Sequence, residues 1–259
     1  MKLFDFFFKK DKSTQVLPEE RNNVAEYCLA LKKRLNPSMD NYFIGDQYKC
    51  QKKCITEGFW TDYRIEDELG NGARPILEWA LTMIDPNKNI SILDIGCGPS
   101  QKMNEFFGQN KNIEITGLDS KEAVKLARQF NPSGLYYECD LDSDESISEI
   151  SKHLKATYDI IFCLDVIEHV LFPEKMLNLI LEKSHPETII FLTTLERDLS
   201  RGAKKSIYGS EKPEHIREWN QQEFSEFIQA TGFIIKDKRV TPQPANQYCQ
   251  TLLCSRPID

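Results

Sequence analysis

From about residue 90 onward, short apolar runs alternate with amphipathic stretches. The apolar runs predict strands near 91–95, 113–118, 134–138, 158–163 and 187–194. Apolar positions recurring every three or four residues predict helices near 101–108, 121–130, 145–154 and 173–184 between them. Strands that alternate with helices imply right-handed crossovers and a mostly parallel sheet, an α/β protein. The tail breaks this rhythm. A helix over 220–230 precedes two strands in succession, 232–240 and 247–255, joined by a turn at Thr241-Pro242-Gln243-Pro244-Ala245-Asn246. The sheet should therefore close on an antiparallel hairpin. Ahead of the alternating region, Val24, Tyr27, Cys28 and Leu31 share one face of a helix over 20–35, which Asn36-Pro37 ends. A second helix, 74–85, carries Ile76, Leu77, Trp79, Ala80 and Met83. Residues 1–75 are thus expected to form a helical and irregular cap on an α/β domain over 76–259. The aromatic stretch Gly58-Phe59-Trp60-Thr61-Asp62-Tyr63-Arg64 is its substrate-facing part or simply packs it onto the core.

Charge and cysteine content narrow the partners. The net charge is −7 over 259 residues, split as +3 over residues 1–60 and −10 over the rest. An acidic main domain makes nucleic acid an unlikely partner, because phosphate backbones are held by cationic surface. No run approaches the roughly 20 apolar residues of a membrane span. The opening Met1-Lys2-Leu3-Phe4-Asp5-Phe6-Phe7-Phe8 is too short and too interrupted to read as an export signal. The eight cysteines are then expected to be reduced and the chain cytoplasmic. Cys50 and Cys54 have half the spacing of a zinc site but no second pair nearby.

The chemistry gathers where strands end. Ile92-Leu93-Asp94-Ile95-Gly96-Cys97-Gly98-Pro99-Ser100 runs from a buried strand through an acid into a glycine turn and a helix. A dinucleotide fingerprint wants a third glycine for close packing beside a pyrophosphate. Here Ser100-Gln101 follow instead, and Asp94 would sit poorly beside a diphosphate. The acid suits a ligand with an ammonium group, such as S-adenosylmethionine, which has an α-amino group, a sulfonium charge and no phosphate. Asp119 ends the second strand, where a carboxylate accepts hydrogen bonds from ribose hydroxyls or caps the next helix. Asp140 and Leu141 follow the third strand, placed to meet an adenine amino group and ring. The fourth strand delivers Asp165, Glu168 and His169; a helical turn there would put i, i+3 and i+4 on one face. Such a cluster binds a divalent ion, holds a general base, or pairs locally. His215 lies in the loop before a capping-box signature at Asn220 and Glu223, where it is either an ordinary surface residue or completes the cluster.

Together, ILDIGCG, Asp119, the Asp140 loop and FCLDVIEHV resemble the class I S-adenosylmethionine-dependent methyltransferases, over about residues 88–258. The resemblance implies a Rossmann-like seven-stranded sheet with an antiparallel final hairpin. It also implies S-adenosylmethionine as cofactor, contacted by Asp94, Gly96, Gly98, Asp119 and Asp140, with Cys97, Ser120, Leu141 and Leu164 in the same cofactor-binding set. Ser100 departs from the glycine that many members have at that position. Within the family, DVIEHV and the later His-x-x-x-Trp segment are similar to ubiquinone-biosynthesis O-methyltransferases and to small-RNA ribose 2′-O-methyltransferases. Both imply a divalent cation (Mg or similar) on a Glu-x-x-Glu-His cluster. Its counterpart here is Asp165, Glu168, His169 and His215, the first acid one methylene shorter. The segments also resemble bacterial methyltransferases acting on sugars and polysaccharides, which need no metal. The expected activity is methylation of a small-molecule or glycan hydroxyl by in-line displacement, with His169, His215 and Glu168 as catalytic groups; the alternatives are a metal-assisted RNA ribose 2′-O-methyltransferase and a cofactor-binding protein without catalysis.

Overall fold

The computed structural model describes Tyr42, Ile44 and residues 73–85, 87–202, 210, 212 and 214–257. The helix over 20–35, the Cys50/Cys54 pair and the Phe59–Arg64 stretch lie outside the described residues. Seven strands form one sheet in the order β3-β2-β1-β4-β5-β7-β6: β1 (Ile90–Ile95), β2 (Ile113–Asp119), β3 (Leu135–Glu138), β4 (Tyr158–Leu164), β5 (Ser184–Leu195), β6 (Ile234–Gln243) and β7 (Gln247–Ser255). β1 to β5 pair in parallel, and β7 runs antiparallel to both β5 and β6. The parallel core and the antiparallel final hairpin expected from the sequence are both present.

Central strands are buried on both faces, which is why they read as unbroken apolar runs. Their side chains alternate between two layers. Leu93, Ile95, Ile161, Cys163, Ile190 and Leu192 point into one, with α4 (Asp144–Ser151), α5 (Pro173–Glu182) and α7 (Gln221–Ala230) over them. Ile92, Ile160, Phe162 and Phe191 point into the other, covered by α1 (Arg74–Leu81) and α2 (Gln101–Phe107). There Phe162 and Phe191 stack with centroids 5.4 Å apart. Helix α3 (Lys121–Phe130) buries Val124 and Ala127 against Cys97 and Tyr136. A five-residue helix that the apolar pattern did not announce, α6 (Arg197–Arg201), follows just after β5.

Element ends depart from the sequence reading for local reasons. Helix α1 stops at Leu81 rather than 85, where the Thr82 hydroxyl donates to the Trp79 carbonyl at 2.7 Å. Strand β6 continues through Pro242 to Gln243, so the turn shrinks to Pro244–Asn246. Proline is tolerated there because β6 is an edge strand and no neighbour needs its N–H. Helix α7 opens with the capping box read from the sequence: Asn220 accepts from the Glu223 N–H at 2.9 Å, and Glu223 accepts from the Asn220 N–H at 3.0 Å. Asn220→Ala is expected to cost about 0.5–2 kcal/mol, read as a shift in the urea midpoint. A stability unchanged by the substitution would show that this cap contributes nothing.

The order of strands reverses between β1 and β4, and crevices at such reversals, outside the carboxyl ends of the strands, are where open α/β sheets bind ligands. The ends of β1, β2, β3 and β4 therefore bring the sequence's candidate residues to one edge.

Candidate active site

The glycine turn after β1 is built by left-handed backbone. Gly96 and Gly98 have φ of 74° and 51°, and Ser100, the residue before α2, has φ of 58°. A Cβ on Gly96 would lie 2.1 Å from Val166 Cγ2, so only glycine lets the β1 turn pass beneath the β4 turn. The Gly96 and Cys97 N–H groups donate to the Leu118 carbonyl at 2.8 and 3.1 Å, locking the turn to β2. Asp119, at the end of β2, accepts from the Gly98 N–H at 2.9 Å and from its neighbour Ser120's N–H at 2.6 Å. Burial raises the Asp119 pKa, while those two N–H donors oppose the rise. The carboxylate is thus fixed against the glycine turn.

The other expected cofactor residues occupy distinct places. Asp94 is buried at the end of β1. Asp140 is exposed after β3; its carboxylate accepts from the Asp142 N–H at 3.0 Å, and the Cys139 N–H ties this loop to the Asp119 carbonyl at 2.9 Å. Leu141 is buried in the larger core cluster, and Leu164 is half-buried against the smaller one. Ser120 caps α3 through its hydroxyl. Cys97 differs from the expectation in one respect: its thiol packs with Val124, Ala127 and Tyr136, so its side chain faces the helix layer and only its backbone belongs to the turn.

Beyond β4 the chain does not form the helical turn expected over 165–169. Asp165 adopts φ of 54°, and a short 3-10 helix runs from Ile167 to His169. The i, i+3, i+4 face is therefore broken at its first member. Asp165 accepts from the Thr193 hydroxyl at 2.9 Å, is exposed, and is not among the donors that converge. Glu168, His169 and His215 do converge, with one donor atom from each within 4.8 Å of the others. The Ile216 N–H donates to the Glu168 carbonyl at 2.8 Å, which brings the two segments together.

The two histidines of this cluster are held from behind. His169 Nδ1 lies 2.9 Å from the Glu214 carbonyl oxygen, which can only accept, so Nδ1 carries the proton and Nε2 the lone pair. Burial and the adjacent His215 hold the His169 pKa down at about 4, keeping the ring neutral. Glu168 is buried, and its Oε2 has no hydrogen-bond partner among the described residues. Burial pushes its pKa up to about 7; His215 opposes the rise and Asp165 adds to it. His215 Nδ1 meets Glu218 Oε1 at 2.7 Å. Burial would raise the Glu218 pKa, but hydrogen bonds from His215, Arg201 and Ser210 outweigh it and hold it at about 2.

Sequence reasoning missed several of these supports. Glu218 and Arg201 carry no motif, and Asp142, which accepts from the Leu171 and Phe172 N–H groups at 2.8 and 3.0 Å, reads as an ordinary loop acid. Arg217 donates to the Val170 and Leu171 carbonyls, both at 3.0 Å, and lies 4.1 Å from the centre of the Tyr42 ring. Trp219 Nε1 donates to the Tyr42 carbonyl at 2.9 Å. The only signal was the charge density of 214–218 itself.

Sheet order, the glycine turn and the acid ending β2 together define a class I S-adenosylmethionine-dependent methyltransferase domain. A family model described as a methyltransferase domain matches residues 70–236. The chain belongs to that family. Its relatives include the mitochondrial ubiquinone biosynthesis O-methyltransferase of Saccharomyces cerevisiae, 26% identical over 167 residues, covering 60% of this chain and 50% of that protein. The chain spans 50 to 63% of the length of the first four curated relatives it matches. Among solved structures, the cyclase SpnF superposes with a TM-score of 0.56 at 15% identity, covering 91% of this chain and 94% of that one. The magnesium protoporphyrin IX methyltransferase of Synechocystis PCC 6803, solved with bound SAH, superposes with a TM-score of 0.55 at 17% identity, covering 78% and 90%. At these identities the structural likeness speaks for the fold. No helix among the described residues is long and apolar enough to cross a membrane.

Proposed function

We propose that the protein transfers a methyl group from S-adenosylmethionine to a hydroxyl of a small molecule, with Glu168, His169 and His215 holding a divalent ion at the acceptor. The observation that carries this reading is the convergence of those three donors, beside the glycine turn, at the carboxyl edge of the sheet. Relatives named as ubiquinone biosynthesis O-methyltransferases support an oxygen acceptor on a small molecule. The acidic main domain disfavours RNA.

The residues suit both groups. Asp119, fixed by two backbone N–H donors, has further lone pairs for ribose hydroxyls, and Asp94 supplies charge for an ammonium group. The orphaned Glu168 Oε2 is what a cation would satisfy, and the histidines, each anchored through Nδ1 to an oxygen, have the outer support typical of metal ligands. Two imidazoles to one carboxylate shift the fit from Mg²⁺ toward softer ions such as Fe²⁺ or Zn²⁺. S-Adenosylmethionine supplies a methyl activated by its sulfonium charge, and the ion supplies Lewis acidity that lowers the hydroxyl's pKa. The chain's own part is alignment of the hydroxyl with the methyl and exclusion of water. Where turnover proves indifferent to chelator, neutral His169 is instead the group that takes the hydroxyl proton.

The test incubates the protein with methyl-labelled S-adenosylmethionine and fractionated cell extract, with purified phenols, sugars and glycans as parallel acceptors, with and without chelator. Label is expected in a small-molecule fraction, lost with chelator and restored by a divalent ion. Label in RNA, or in no fraction at all, would overturn the proposal; label in a sugar or glycan would move the acceptor class there.

A further inference from the structure

Glu218 is fully buried, yet it is neither part of the donor cluster nor predicted by any motif. Three separate segments supply its partners. Arg201, at the end of α6, approaches with Nη2 at 2.8 Å from Oε1 and Nε at 3.2 Å from Oε2. The Ser210 hydroxyl donates to Oε1, and His215 Nδ1 meets the same oxygen at 2.7 Å. An ionised carboxylate only accepts, so the imidazole must carry a proton on Nδ1, and whenever the ring is neutral its lone pair is on Nε2. Removing that constraint frees the ring to take its other tautomer or to rotate.

We infer that Glu218 is the positioning residue of the site: anchored by Arg201 and Ser210, it fixes His215 as the Nδ1–H tautomer and aims Nε2 at Glu168 and His169. This rests on the reading of those three side chains as the donors of the reaction centre. A carboxylate behind a ligating histidine sets the ring's orientation and basicity, and losing such a partner typically weakens metal binding about 10–100-fold. Arg201 in turn neutralises a carboxylate that would otherwise be costly to bury.

The experiment compares the full chain with Glu218→Gln. Ring ¹⁵N shifts report the tautomer in ion-free protein; the chain has four histidines, so a His215→Gln control assigns the signals. Calorimetry with Mn²⁺ reports ion affinity, and S-adenosylmethionine titration verifies that the fold persists. In the unaltered protein the neutral form of His215 should be the Nδ1–H tautomer alone. In Glu218→Gln the Nε2–H form should appear, because the amide N–H can donate to Nδ1, and Mn²⁺ affinity should fall about 10–100-fold. A variant that keeps the Nδ1–H tautomer and full Mn²⁺ affinity overturns the inference. Should the unaltered protein take up no ion, the metal reading fails, and the tautomer change alone upholds Glu218. Should Glu218→Gln not fold, the unaltered spectrum decides: an Nε2–H tautomer at His215 overturns the inference, and an Nδ1–H tautomer supports it.

Discussion

Alanine at His169 is expected to lower turnover by about 10²–10⁴-fold while S-adenosylmethionine affinity stays near that of the unaltered protein. The imidazole is neutral because burial holds its pKa at about 4, and its Nδ1–H is committed to the Glu214 carbonyl. Its Nε2 is therefore a lone-pair donor at neutral pH, as ligand or as base. The residues expected to hold the methyl donor, Asp94, Gly96, Gly98 and Asp119, lie on β1, the glycine turn after it and β2 rather than on the 3-10 turn, so donor binding should survive. Steady-state turnover paired with cofactor calorimetry separates the two effects, and ion affinity in the same variant separates a ligand from a base. Turnover equal to that of the unaltered protein would remove His169 from the mechanism.

Gly96→Ala should act on the other half of the site. The added Cβ would sit 2.1 Å from Val166 Cγ2, and φ of 74° is left-handed. Overpacking of this kind costs about 1–3 kcal/mol, and left-handed backbone about 1–2 kcal/mol more for a residue with a Cβ. Relaxation must move the β1 turn or the Val166 turn, and both border the crevice. Lower stability in denaturant and a loss of S-adenosylmethionine affinity are the expected results. Trimming the clash with Val166→Ala in the same chain should restore part of the affinity but not the backbone strain. If Gly96→Ala binds the cofactor normally, the close crossing of the two turns does not shape the site.

The comparison of sequence with structure turns on where each residue's conformation is decided. Strands β1, β4 and β5 were legible because burial on both faces demands continuous apolar side chains. The cap of α7 was legible because Asn220 and Glu223 satisfy each other within one turn. The glycine turn was legible because its φ values are set locally. The end of β6 was misread, since whether Pro242 breaks a strand depends on which neighbour needs its N–H. Asp165 was misread because its left-handed backbone is held by Thr193, a residue of another strand.

The sequence by itself determined the alternation of strands and helices, the antiparallel close of the sheet and the kind of cofactor turn, all of which depend on neighbours along the chain. Only the tertiary structure decided that Glu168 and His169 meet His215, that Asp165 stands aside, and that Glu218 is gripped by Arg201 and Ser210. Those contacts join segments far apart in the chain. Their energies come from burial and from hydrogen bonds across the fold, and neither leaves a periodic mark in the order of residues.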